Sequence, residues 1–168
     1  MEQRLHEVGM AMLRVPRRKD RVLEEAEARE ILARAEHGVL ATVGADGQPY
    51  AVPVNHVLVE DALYVHCAPE GHKLENIVHE ARVSYCAIGE AEVDAAILST
   101  YYRSTIVFGW AELVADEAEK RAALVRLVER MGAAMDAKNE AYFARMMPKT
   151  AVIRIRIEEI SGKARRRG

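Results

Sequence analysis

The segment His66-Cys67-Ala68-Pro69-Glu70-Gly71-His72-Lys73-Leu74-Glu75-Asn76 holds the most informative chemistry in this chain. Pro69 and Gly71 break a strand, and Gly71 permits close backbone approach to a ligand. Lys73 and Asn76 then fall in the first turn of a helix, where free backbone N–H groups and the positive dipole end point outward. An ammonium added to those donors suits a phosphate. GxxxxGK[ST] is absent, so the cradle is not a Walker loop. Gly-x-Lys before a helix is also a common way to start a helix, so the spacing alone fits both readings. His66 ends the strand just before the cradle and would face the reactive part of a ligand held there. Cys67 points to the opposite face if the strand pleat holds. His66, His72 and His79 match no standard metal spacing. Tyr101, Tyr102, Phe108 and Trp110 read as core or interface more than as a stacking platform.

The elements that position this segment are mostly short strands. A helix is expected over Glu24 to Glu36, rich in Glu, Ala, Arg and Leu, with Gly38 as its terminating glycine. Val39 to Val43 reads as a strand. Ala45-Asp46-Gly47-Gln48 supplies a hairpin turn, and Pro49 to Val59 returns, with Pro49 and Pro53 marking an edge or bulge. Glu60-Asp61 turns the chain into a third strand, Ala62 to Cys67. Leu74, Ile77 and Val78 give a short helix over Lys73 to Glu80. Val83 to Ile88 and Tyr102 to Val114 are further strands. Asp116 with Glu119 resembles a helix cap, ahead of the apolar stripe Leu124, Val125, Val128 and Met131. Another helix is expected over Asn139 to Met147, stopped by Pro148. Ile153, Ile155 and Ile157 alternate with Arg154, Arg156 and Glu158, a strand with one wet face. About six turn-linked strands argue for an antiparallel barrel and against a doubly wound parallel sheet.

The 168 residues suit one domain, and half are hydrophobic, enough for a core. The division expected is an arm over 1–16, a barrel domain over 17–163 and a basic tail over 164–168. A net charge of −2 gives no bulk pull toward nucleic acid or anionic lipid. The basic clusters Arg14 to Arg21 and Lys163 to Arg167 lack interleaved aromatics and read as solvated termini. Cys67 and Cys86 form no CxxC pair. No run approaches the length of a membrane span, and the start lacks a signal-peptide pattern. A soluble, cytoplasmic protein is expected.

An ordered series of pieces carries a family resemblance. It runs from Arg17-Arg18-Lys19-Asp20-Arg21 through Gly38-Val39-Leu40-Ala41-Thr42 and Asp46-Gly47-Gln48-Pro49-Tyr50 to Val52-Pro53-Val54. Leu63-Tyr64-Val65-His66 and Gly71-His72-Lys73-Leu74-Glu75-Asn76 follow. Tyr102 to Gly109, Val152 to Ile155 and Ile160 to Lys163 complete it. The chain resembles the FMN-binding split-barrel superfamily of pyridoxamine 5′-phosphate oxidase-like proteins, and within it the nitroimidazole-resistance branch.

The resemblance implies a mainly β fold with helices, a six-stranded antiparallel Greek-key-like split barrel. It implies a homodimer with FMN at the interface. His66, Cys67, Ala68, Gly71, His72, Lys73 and Asn76 would form the phosphate segment, with Lys73 as its cation. Pro53, Val54 and Asn55 would line the isoalloxazine, and Tyr102, Arg103 and Ser104 would approach from the partner subunit. His66 would be the active-site histidine. The chain stops soon after Ser161-Gly162-Lys163, without the Arg-x-His stretch of authentic pyridoxamine phosphate oxidases, so that reaction is not expected. The expected function is an FMN-dependent oxidoreductase acting on a small molecule, nitroaromatics included. The alternative is a haem-binding split barrel with His66, His72 or His79 as axial ligand.

Overall fold

The computed structural model describes residues 17–167. The arm over 1–16, Arg14 of the basic cluster included, lies outside the described residues. Eight strands form one antiparallel sheet: β1 (Val22–Leu23), β2 (His37–Val43), β3 (Pro49–Asn55), β4 (Val57–Val59), β5 (Ala62–Cys67), β6 (Arg82–Asp94), β7 (Ser99–Leu113) and β8 (Ala151–Arg165). The helices are α1 (Glu25–Arg34), α2 (His72–His79), α3 (Glu117–Arg130) and α4 (Ala137–Met146). The strand order is β3-β2-β6-β7-β8-β5-β4, with β1 paired to β8 beside this path. Mostly antiparallel strands curl into a half-barrel, the expected split-barrel architecture.

Two differences from the sequence reading explain why eight strands replace six. The run from Pro49 to Val59 breaks at His56, which separates β3 from β4. His56 is fully buried. Its Nε2–H donates to the Leu32 carbonyl at 2.7 Å, and its Nδ1 accepts from the Tyr85 hydroxyl at 2.7 Å. A strand residue turned inward to join two other elements cannot keep the ladder. The second addition is β1, two residues held against Gly162 and Lys163 of β8.

Gly38 does not end α1. That helix closes at Ala35, and Gly38 already belongs to β2, paired with Val54 and Ala87. A Cβ there would lie 2.5 Å from the Tyr85 ring. The glycine makes room for that aromatic side chain instead of ending a helix. The α1 carbonyls find another partner: the Arg130 guanidinium of α3 donates to the Ala33 and Ala35 oxygens, both at 2.5 Å. Asp116 caps α3 as expected, its carboxylate accepting from Glu119 N–H at 2.7 Å.

The pleat sorts side chains into two cores. Leu40, Leu63, Val65, Tyr85, Val107, Ile153 and Ile155 fill the inside of the curl, with α1 and α2 residues closing it. Val57 and Val152 face outward and are covered by Ala123, Leu124 and Leu127 of α3 and Phe143 of α4. These helices cover the β4-β5-β8 part of the outer surface. Across β2, β6 and β7 the same surface keeps Val39, Val43, Ile88, Ile106 and Phe108 exposed. Among the described residues, no helix is long and apolar enough to cross a membrane.

Candidate functional site

The strand β5 delivers the central residues in alternation. Leu63 and Val65 point into the inner core, and Cys67 follows them and packs against it. Tyr64 faces the outer core under α3. His66 shares that parity and lines a cavity between β5 and the α3–α4 pair. The register fixes this, since His66 lies opposite the outward-facing Val152 and Cys67 opposite Ala151. His66 and Cys67 therefore serve opposite sides of one strand, as the period-two rule requires.

On the inner side lies the expected cradle. The chain leaves β5, and Gly71 adopts φ +126°, a left-handed value open to glycine. A Cβ at Gly71 would meet nothing within 4 Å, so the space in front of the helix is open. No side chain caps α2. Leu74 and Glu75 N–H both donate to the Gly71 carbonyl, which leaves the N–H groups of His72 and Lys73 aimed out of the helix start. Lys73 is half-buried, and its ammonium acts on the Cys67 thiol, tending to lower it. Burial outweighs that effect and pushes the thiol above its usual value. The arrangement offers an anion two amides and one cation, and a flavin phosphate fits that donor set.

Asn76 plays a different part from the one its position in the sequence invites. Its amide is buried and donates to Thr42 Oγ1 at 2.9 Å, which ties α2 to β2. Tyr50 of β3 adds a second tie: its ring lies 4.3 Å from that of His72. Thr42 and Tyr50 hold the cradle in place, although neither forms a sequence pattern with α2. Their partners lie far away in the chain, and only pairing of β2 with β3 reveals them.

On the outer side, partial desolvation of the His66 ring against the cavity wall lowers its pKa from the ordinary value, although the residue as a whole stays exposed. It has no hydrogen-bond partner among the described residues. His72 and His79 are exposed on α2.

The remaining expected residues lie apart. Pro53 and Asn55 of β3 are exposed, and Val54 packs against the inner core. The Asn55 amide donates to the Glu36 carbonyl at 3.0 Å. Pro53 pairs with Val39, which puts it on the bare outer surface. Ser104 pairs with Ile88 on the same surface. Arg103, between Ser104 and Tyr102, points the other way, toward Glu27 and Glu30 of α1 and Glu90. Tyr102 and Arg103 nevertheless line one cavity, together with Glu90, Glu92 and Arg165.

Tyr102 lies opposite Arg165, and Cys67 opposite Ala151, at the two ends of β8. A strand of that length has a contour of roughly 45 Å. Within one chain, the β7 patch and the β5 patch do not meet.

The pyridoxamine 5′-phosphate oxidase family model matches residues 24–164. The chain belongs to that family. Solved structures repeat the fold. A candidate 5-nitroimidazole antibiotic resistance protein from Bacteroides thetaiotaomicron superposes with a TM-score of 0.70 at 23% identity, covering 84% of this chain and 85% of that one. The flavocytochrome Anf3 from Azotobacter vinelandii gives 0.73 at 20% identity, covering 94% and 75%. A FAD-binding protein from Mesorhizobium loti gives 0.61 at 24% identity, covering 87% and 98%. No curated protein matches the chain. At these identities the likenesses establish the fold, and membership of the pyridoxamine 5′-phosphate oxidase family does not by itself fix a reaction.

Proposed function

We propose that this protein is a flavin-binding oxidoreductase that takes FMN and reduces a small molecule, nitroaromatics included. The observation that carries the reading is the open, uncapped start of α2 with Gly71 in a left-handed conformation and Lys73 beside it. Family membership and the flavin-binding neighbours support it. A bound flavin supplies the electron chemistry. The chain's own residues bind and orient. Lys73 and the His72 and Lys73 amides neutralise the phosphate, and Gly71 admits it to close range. Pro53, on the outer face of β3, offers a wall for the ring, and Val54 supports that strand from the inner core. His66 orients the small molecule or exchanges a proton with it.

The working form is proposed to be a homodimer with FMN at its interface. Two features favour this. The exposed apolar surface of Val39, Val43, Ile88, Ile106 and Phe108 needs cover. The patches on β5 and β7, separated along one chain, can meet only if a second copy brings them together. Purified protein should be yellow, elute as a dimer and release FMN on denaturation, and His66→Ala should slow nitroreduction while retaining FMN. A colourless protein, or unchanged nitroreduction in His66→Ala, would refute the proposal. A monomer that still holds FMN would refute the interface.

Haem binding at His66 is the second reading, favoured by one observation: His66 lines a cavity of about 430 Å³, whereas His72 and His79 do not line it. An intense Soret band in place of the flavin bands would select it.

A further inference from the structure

The cavity beside His66 has a composition of its own. Its volume is about 430 Å³, within the range of small-molecule sites. Its walls come from β5, α3, α4 and the turn after α4. No Lys, Arg, Asp or Glu lines it. Met131, Met135, Met146 and Met147 all do, and the chain's other methionines are Met1, Met10 and Met12. Every methionine beyond the N-terminal arm therefore converges on this one space. Methionine is unbranched, polarisable and able to re-pack around ligands of different outline, and its sulfur contacts aromatic rings favourably.

The polar groups on the wall are few. The Asn139 amide donates to the Ala134 carbonyl at 2.7 Å, and its backbone N–H is taken by Asp136. The Thr150 hydroxyl donates to the Met146 carbonyl at 3.0 Å. The Tyr142 ring lies under the Arg145 guanidinium and is largely exposed. The His66 imidazole, by contrast, has no hydrogen-bond partner at either nitrogen among the described residues. A largely apolar, uncharged cavity, open on one side, with an unpartnered imidazole on its wall selects by class. It rejects anions, which would find no cation to replace their water. It accepts a flat apolar ring system with one hydroxyl or carbonyl to meet the imidazole.

We infer that this cavity is a ligand site for uncharged, fused two- or three-ring aromatic molecules, anchored at one polar edge by His66 and clasped by the four methionines. The volume exceeds what a single small ring fills, and the methionine lining suits ligands that differ in outline. The absence of a lining cation also separates this occupant from haem, whose two carboxylates need partners. The inference deepens the proposed function and takes from it only that His66 meets the small molecule. It concerns binding, so its failure and the failure of flavin chemistry can be told apart.

The test uses the full chain as purified and follows the fluorescence of 2-naphthol and of naphthalene during titration. Saturable binding of 2-naphthol is expected, about tenfold tighter than naphthalene, the difference one hydrogen bond supplies. His66→Leu should abolish that preference while naphthalene still binds. Met135→Trp, which fills the space, should weaken both probes tenfold or more. The preference in unaltered protein decides the matter if Met135→Trp does not fold. Absence of saturable binding, equal affinity for the two probes, or equally tight binding of naphthalene-2-sulfonate would overturn the inference. So would protein isolated with a Soret band that His66→Ala removes.

Discussion

His66 and Cys67 are neighbours in the chain, yet the environments on their two sides of β5 differ. The Cys67 side opens toward α2, where Lys73 and free amides concentrate positive character. The His66 side opens into an uncharged, methionine-lined space. One strand thus separates a place suited to a charged group from a place suited to an apolar one. A flavin has both a phosphate end and a flat ring, and its small-molecule partner needs a site of its own. The difference teaches that the segment from His66 to Asn76 is two half-sites back to back, although its sequence reads as one.

The largest expected effect lies on the charged side. Lys73→Met should raise the FMN dissociation constant by roughly 10- to 100-fold, the worth of a charge-assisted contact. His66→Leu should change it by less than about threefold. Fluorescence titration of apoprotein with FMN measures both, and the reverse ranking would break the comparison. Next comes the tie that holds the cradle. Thr42→Val leaves the buried Asn76 amide without its acceptor and should cost about 1–3 kcal/mol in urea denaturation. The 2-naphthol affinity should remain unchanged, because that cavity has no contact with Thr42; a parallel loss would join the two sides energetically.

A smaller effect sharpens the electrostatic contrast. Lys73 favours the Cys67 thiolate, whereas burial alone acts on Cys86. Lys73→Met should therefore slow alkylation of Cys67 by iodoacetamide about two- to threefold at pH 8, with Cys86 unaffected. Peptide mass mapping separates the two thiols. Smallest is the shift of His66 itself. Its folded pKa lies below the unfolded value, so the unfolded chain takes up the proton first as pH falls. The stability linked to this group is complete above about pH 6.5 and declines below it. The His66 ring resonances should titrate with a midpoint below the ordinary histidine value in the folded protein and return to it in urea. An unshifted midpoint would remove the apolar side of the comparison.

Much of this was readable before any fold was known. The alternation of Ile153, Ile155 and Ile157 marked β8, and Asp116 with Glu119 marked the start of α3. Gly71 marked the start of α2, and the pleat alone predicted that Cys67 and His66 diverge. What local pattern could not carry was partnership across the chain. Asn76 sits one helical turn from Lys73, and only the position of Thr42 shows that its amide is committed inward. The ion pairs of Arg103 with Glu27 and Glu30 likewise depend on how α1 docks against β7. The four methionines lie on and between two helices with modest periodicity, and their convergence depends on where those helices dock. The break at His56 has the same origin, a buried ring answering to Leu32 and Tyr85 instead of to its sequence neighbours.

The position of β8 has a consequence for how the molecule comes into being. It is the last strand along the described chain, yet it lies between β7 and β5 and also receives β1. Until it arrives, β4 and β5 have no sheet to join, because their remaining path runs through it. A chain emerging from a ribosome therefore carries β5, with His66 and Cys67, unattached to the sheet until β8 is free, whereas α2 can already dock on β2. Such non-local closure makes for slow, late assembly and a period of exposed strand edges. Arrival of β8 is then the step that brings the two sides of β5 into register with the rest of the sheet.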